Sequence, residues 1–203
     1  LFAARRKVSF DANALMLREG EVPQLTYTVF SGWAHRSKHL SDGRRQILSF
    51  LLPGDLVLAK AFAVAPIKFS VRTITPVSAC AFEREEMFRF LGGSLDLLRS
   101  CGNIYFTELD QGDQRILDLG RRNAMGRVAS LLLEIHQRLV RKGLAADGPF
   151  EFPLRQEHFA DALGLTTAHV NRTFGAMKTK GLVKYGPGWM EICDRVALER
   201  LLG

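Results

Sequence analysis

The period of the apolar positions changes along this chain, and the change divides it. Up to about Phe82 the apolar residues fall in short runs such as YTVFSGWAHRS, RRQILSFLLPGDLV and FSVRTITPVSACAF. Turn residues at Gly20-Glu21, Gly32, Asp42-Gly43 and Pro53-Gly54 punctuate them at roughly 11-residue spacing, the rhythm of antiparallel strands in a sandwich or barrel. A β-roll or jelly roll of about eight strands is expected. From Glu85 the period becomes helical. Met87, Phe88, Phe90 and Leu91 predict a short helix ended by Gly92-Gly93, and a long helix starts near Ser94, whose side chain can cap it. Along that helix Leu95, Leu98, Cys101 or Gly102, Tyr105, Leu109, Gly112, Ile116 and Leu119 approximate a 3-4 alternation, the seam of a helix that pairs with its own copy. Leu97, Ile104 and Phe106 lie on its other faces.

Gly120 or Asn123 marks a break. AMGRVASLLLEIHQRLV then predicts an amphipathic helix from about Arg121 to Val140, with Val128, Leu131, Leu132, Ile135 and Leu139 as its buried stripe. RKGLAADGPFEF follows as a loop and a short strand. In LRQEHFADALGLTTAHVNRTFGAMKTKGLV, Leu154, Phe159, Ala162 and Leu163 give one apolar face to a first helix, stopped by Gly164. Thr166 is placed to cap a second helix, on which Val170, Phe174 and Met177 form an inward stripe. Ala168, Arg172 and Thr179 then face outward, flanked by His169 and Asn171. Behind it, GLVKYGPGWMEI predicts a hairpin turning at Gly186-Pro187-Gly188, and RVALERLLG a last short helix. The expected class is α+β: a β-roll over residues 1–92, a long helix over 93–120 and a helical unit with a hairpin over 121–203, hinged around Leu119 to Asn123.

Two short helices across a tight turn, with a hairpin behind, make a winged helix-turn-helix, whose second helix fits the DNA major groove. Arg172 is the leading base reader, because its planar fork matches the two acceptors of guanine. Charge supports a polyanionic partner. The net charge is +7, and residues 121–184 carry eleven Lys and Arg against five Asp and Glu. The three cysteines, Cys80, Cys101 and Cys193, are widely spaced and suggest neither a disulfide framework nor a zinc site. Cys101 reads as a small packing residue. With no apolar run as long as a membrane span and no signal-peptide pattern at the N-terminus, a cytoplasmic protein is expected.

RQEHFADALGLTTAHVNRTFGAMKTKGLV resembles the winged-helix domain of the Crp/Fnr family of bacterial transcription regulators. The segments around Ser31-Gly32 and DGRRQILSFLLPGD resemble that family's cyclic-nucleotide-binding-type sensor domain, so the resemblance covers nearly the whole chain. It implies a homodimer along the long helix, with Leu95, Leu98, Tyr105, Leu109 and Ile116 in the seam. It also implies a palindromic operator with half-sites one helical turn apart. The family's base-reading positions map to Thr167, Ala168, Asn171 and Arg172. Gln156, Thr166, Lys178, Lys180 and the wing residue Lys184 are assigned to phosphates, which fix register without reading sequence. Many members carry a glutamate where Ala168 stands, so this half-site should be read differently at one base pair. RNA polymerase is an implied partner, with the loop from Arg141 to Pro149 as the segment to test.

The chain departs from members that bind cyclic AMP. Their Gly-Glu pair would fall near Leu58 and Ala59, and their Arg-Ser pair near Lys68 and Phe69. An apolar pair cannot bind a ribose hydroxyl and Phe cannot donate to a phosphate, although Lys68 and Arg72 keep positive charge nearby. Cyclic AMP is disfavoured as an effector. An iron-sulfur cluster is disfavoured too: members of the family that sense oxygen with one use N-terminal cysteines, and no cysteine precedes Cys80 here. His35 and His39, on one side of a predicted strand, raise a cupin-type metal site, but the neighbouring Arg36, Lys38 and Arg44 repel a cation and two exposed histidines are expected. No catalytic constellation is present. A sequence-specific DNA-binding transcription regulator is the expected function. The alternatives are an effector-binding regulatory subunit with a degenerate DNA domain and a cupin-type metalloprotein, separable by selection of a DNA palindrome and by metal analysis.

Overall fold

The computed structural model describes residues 6–57 and 65–203. The chain divides into two compact units, Leu1–Gly112 and Asp113–Gly203.

In the first unit the described strands are β1 (Arg6–Phe10), β2 (Leu15–Leu17), β3 (Leu25–Ser31), β4 (Ala34–His39), β5 (Arg45–Leu51), β6 (Leu56–Val57), β7 (Ser70–Thr73) and β8 (Val77–Glu83). They form two four-stranded antiparallel sheets, ordered β1-β8-β3-β6 and β2-β7-β4-β5. The strand alternation explains how the sheets stack. On β8, Val77, Ala79 and Ala81 point into the core shared with Val29, Ala34, Leu51 and Val71. Cys80 and Phe82 point the other way, where Met87, Leu91 and Cys101 cover them. Both faces of β8 are therefore buried from Ala79 to Phe82, which the apolar run ACAF reflects. The covering residues come from α1 (Arg84–Gly93) and α2 (Leu95–Arg121). At the turn into β4, Gly32 has φ +85°, and a Cβ there would collide with the Pro76 carbonyl oxygen, so only glycine fits.

Ser94 caps α2 as expected, its Oγ accepting from the Leu97 amide at 3.3 Å. Leu97 and Cys101 turn inward onto the sheet, so Cys101 belongs to the packed face. Burial pushes the Cys101 thiol up, away from the reactive thiolate. Leu95, Leu98, Tyr105, Leu109 and Ile116 are all exposed, joined by Phe106 and Leu117. The histidine expectation is corrected in part. His39 is exposed, but His35 is buried at 2% exposure, because β4 is flanked by β5 and β7 and its first residues are covered on both faces. Among the described residues no group of three or more His, Cys, Asp or Glu side chains is placed to hold a metal.

The second unit takes in the last two turns of α2. Arg115 pairs with Glu134 at 2.8 Å, and the buried Asp118 pairs with Arg122 and accepts from Gln114 at 3.0 Å. Asn123 is the break and the cap of α3 (Ala124–Arg141), its side chain accepting from the Gly126 amide at 3.0 Å. Every residue of the predicted stripe, Val128, Leu131, Leu132, Ile135 and Leu139, is buried. Then come β9 (Phe150–Glu151), α4 (Gln156–Leu163), α5 (Thr167–Thr179), β10 (Val183–Gly186), β11 (Trp189–Ile192) and α6 (Arg195–Arg200). The hairpin β10-β11 gains β9 as a third strand on the β11 edge. A chain of aromatic contacts, edge-on or tilted, runs through this unit, from His136 through Phe150, Phe152, Phe159 and Phe174 to Tyr185, with centroids 4.9 to 5.9 Å apart. They tie α3, α4, α5 and the hairpin into one core.

Candidate nucleic-acid interface

The interface is built by two helix starts. Arg155 stands at the N-cap of α4, where its amide donates to His158 Nδ1 at 2.9 Å while the His158 amide donates back to the Arg155 carbonyl at 3.0 Å. His158 is buried, so this reciprocal cap is held from inside. Leu154 lies before the helix rather than on it, since the cap starts one residue later. Gly164 ends α4 in the left-handed conformation, φ +62° and ψ +37°. Two residues on, Thr166 opens α5, its hydroxyl accepting from the His169 amide at 3.2 Å. Val170, Phe174 and Met177 seat α5 on the core, with Thr173 beside them bonding the His169 carbonyl at 2.9 Å.

That seating leaves Thr167, Ala168, Asn171 and Arg172 exposed along one side of the first two turns of α5. Arg172 makes no ion pair or hydrogen bond among the described residues. Lys180 is likewise exposed and uncommitted among the described residues, whereas Lys178 lies 5.6 Å from the Tyr185 ring centroid. Lys184, on β10, is paired with Glu191 across the hairpin at 3.6 Å, so it offers less net charge than its position suggests. Gln156 donates to Asn171 at 3.1 Å. Between α4, α5 and the hairpin a groove of about 760 Å³ opens, lined by Gln156, Thr167, Phe174, Tyr185 and Trp189 among others.

The basic excess of this half is not all surface charge. Arg122 is bonded to Asp118, Ser130 and the Leu202 carbonyl, Arg127 to the Arg122 and Leu163 carbonyls, and Arg138 to Glu134. These three guanidiniums brace the fold. Composition counts them with the free ones because it has no access to partners. Two residues outside the expected set flank the interface: Arg155, 77% exposed at the start of α4, and Trp189, exposed at the start of β11 beside Gly186. A cation at a helix N-cap was the only sequence signal for the first. Trp189 gave none, since an aromatic in a hairpin reads equally as core.

A capped two-helix element followed by a three-stranded hairpin sheet, with an outward arginine, is the architecture of a winged helix-turn-helix. Residues 126–201 match the Crp-like helix-turn-helix domain, and residues 7–93 match the cyclic nucleotide-binding domain. The chain is 32% identical over 196 residues to the nitrogen fixation regulation protein FixK of Bradyrhizobium diazoefficiens, covering 97% of this chain and 81% of the relative. It is 32% identical over 191 residues to the transcriptional activatory protein AadR of Rhodopseudomonas palustris, covering 92% and 77%. The solved structure of FixK2 from Bradyrhizobium japonicum superposes with a TM-score of 0.87 at 29% identity, covering 98% of each chain. The chain belongs to the Crp/Fnr family of DNA-binding transcription regulators. Among the described residues no helix is long and apolar enough to cross a membrane.

Proposed function

We infer that the protein binds a palindromic promoter site as a homodimer and regulates transcription there without cyclic AMP. The observation that carries this is the outward side of α5, where Arg172 stands exposed and, among the described residues, without a partner. In this reading Thr167, Ala168, Asn171 and Arg172 meet base edges, while Gln156, Thr166, Lys178, Lys180 and Lys184 meet phosphates. The row of exposed apolar residues on α2, Leu95, Leu98, Tyr105, Leu109 and Ile116, supports the dimer, since a face of that kind excludes water only against another surface. Two copies related by a two-fold axis would present two recognition helices, and the operator would mirror that symmetry.

The described residues of the β-roll support the reading without cyclic AMP. Phe69 packs against the core and carries the Arg36 guanidinium 5.2 Å from its ring centroid. Arg36 is itself committed to Glu108 of α2 at 2.9 Å and to Ser49 at 2.8 Å. Arg72 donates to the Asn13 carbonyl at 2.6 Å. Of the cations considered for a phosphate, only Lys68 is exposed without a partner among the described residues. Leu58 and Ala59, the other expected departure, lie outside the described residues. The family resemblance adds RNA polymerase as a partner of the DNA-bound dimer, through the loop from Arg141 to Pro149, and a cytoplasmic location. Selection of binding sites from a random DNA library by the purified protein, with no effector added, tests the central reading. One enriched palindrome supports it; no enrichment, even with cell extract added, overturns it.

A further inference from the structure

We propose that the Arg36–Glu108 ion pair sets the rotation of α2 on the β-roll and so keeps the dimer seam turned outward. The proposal rests on the reading of the exposed α2 row as that seam. Both residues belong to the first unit. Leu97 and Cys101 pack on the sheet, and Ile104 and Glu108 continue the same helical stripe at the next three- and four-residue steps, both half-buried. The first three positions of the stripe are apolar or a thiol, whereas the fourth is an acid. Arg36 meets it from inside the roll. On β4 it shares a face with Ala34, which lies in the core, and across the sheet Leu51 and Ser49 stand opposite the two. Its Nε donates to the Ser49 Oγ at 2.8 Å, its guanidinium lies 5.2 Å from the Phe69 ring centroid, and its Nη1 donates to the Glu108 Oε2 at 2.9 Å. The two side chains are only 19% and 26% exposed, so this pair is shielded as a surface pair is not.

Apolar burial holds a helix against a sheet but has no direction of its own. The seam residues nearest Glu108 are Tyr105 and Leu109, about 60° and 100° round the helix from it. They stand 55% and 46% exposed. A rotation of α2 through such an angle would exchange Glu108 for Tyr105 against the roll. Burial alone favours that exchange, because an aromatic ring gains by leaving water and a carboxylate loses. The ion pair reverses the preference. Its charge-assisted bond is aimed by Ser49 and the Phe69 ring, and it is lost if Glu108 turns away. With Glu108 held inward, Tyr105 and Leu109 remain outward for a second copy of the chain. Arg36 is thus a positioning residue for assembly that acts through α2.

Removing the cation and then the acid separates orientation from the bond itself. Dimer dissociation constants of the full chain are measured by sedimentation for the wild type, Arg36→Met, Arg36→Met/Glu108→Leu and Ile116→Glu, with cooperative melting as the check that each is folded. Arg36→Met keeps the bulk of the side chain but leaves Glu108 without its cation, so the carboxylate should turn to water and the dissociation constant should rise by roughly tenfold. In Arg36→Met/Glu108→Leu the inward stripe becomes apolar throughout, so α2 should settle in its original rotation and the dissociation constant should return to within about threefold of the wild type, although the ion pair is gone. A lost bond without a change of rotation cannot produce that rescue. If Ile116→Glu dissociates the dimer while Arg36→Met leaves the constant unchanged, the proposal fails and the seam stands. The proposal also fails if the double variant is as weak as Arg36→Met. If Ile116→Glu leaves the dimer intact, the reading of the seam itself fails, and the proposal with it.

Discussion

Truncating Arg172 separates sequence reading from general attraction to DNA. The side chain is exposed and uncommitted among the described residues, so Arg172→Ala should change the folding stability by no more than about 0.5 kcal/mol. Its effect should appear in binding alone. A bidentate pairing with guanine contributes about 1–3 kcal/mol of discrimination, and a two-fold dimer makes it twice, giving about 2–6 kcal/mol if the half-sites add. At about 1.4 kcal/mol per decade, affinity for the selected operator should fall between roughly 30-fold and 10⁴-fold. Random duplex should lose far less. Lys180→Ala is the contrast: it removes one phosphate contact per protomer, so affinity for both duplexes should fall together, and the slope of log K against log salt should flatten by about 1.8. Equilibrium binding of operator and random duplexes, measured from roughly 50 to 200 mM salt, reads both quantities. Equal proportional loss on both duplexes for Arg172→Ala would refute the assignment of Arg172 as a reader.

Further consequences concern assembly, acid, ligand and the turn. Ile116→Glu places a charge on the most exposed apolar residue of α2 and should convert a dimer to monomer in sedimentation, with loss of operator binding; an unchanged dimer would remove Ile116 from the seam. Burial, with the Arg195 charge adding to it, holds the His136 imidazole below its ordinary value, against smaller opposing effects of a hydrogen bond to the Ala146 backbone and the Asp147 charge. The unfolded chain therefore takes up this proton first. Melting temperature should be insensitive to His136 above about pH 6.5 and should fall as the pH drops below it; His136→Gln should shrink that acid slope, and an identical slope would exclude the group. Millimolar cyclic AMP should leave the melting temperature unchanged, because a ligand at 100 times its Kd adds about 2.7 kcal/mol, a rise of several degrees. Gly164→Ala should cost about 1–2 kcal/mol, because its left-handed backbone crowds a Cβ; a neutral effect in denaturant unfolding would mean the turn relaxes.

Much of the second unit was legible because its signals are local. Thr166, Gly164 and the stripe of Val170, Phe174 and Met177 act within a few residues, and backbone geometry alone turns them into a cap, a stop and a buried face. The same held for the start of α2, where Ser94 supplies the cap. The β-roll was legible in its rhythm but not in its pairing. Nothing in the spacing tells that β8 lies between β1 and β3, or that its second face is covered by α1 and α2. His35 was misplaced for that reason, since a strand's burial depends on its neighbours in the sheet, which are distant in sequence.

The sequence by itself determined the period of each element, the caps and turns that bound them and the residues offered outward on α5, all consequences of chemistry within one or two turns. Tertiary structure alone decided which charges are free. It consumes Arg122, Arg127 and Arg138 in the frame, ties Arg36 to Glu108, and joins Gln156 to Asn171 across the helix turn. Charge and hydrogen-bonding capacity belong to residue types, but whether they are spent depends on which groups the fold brings within about 3 Å of one another.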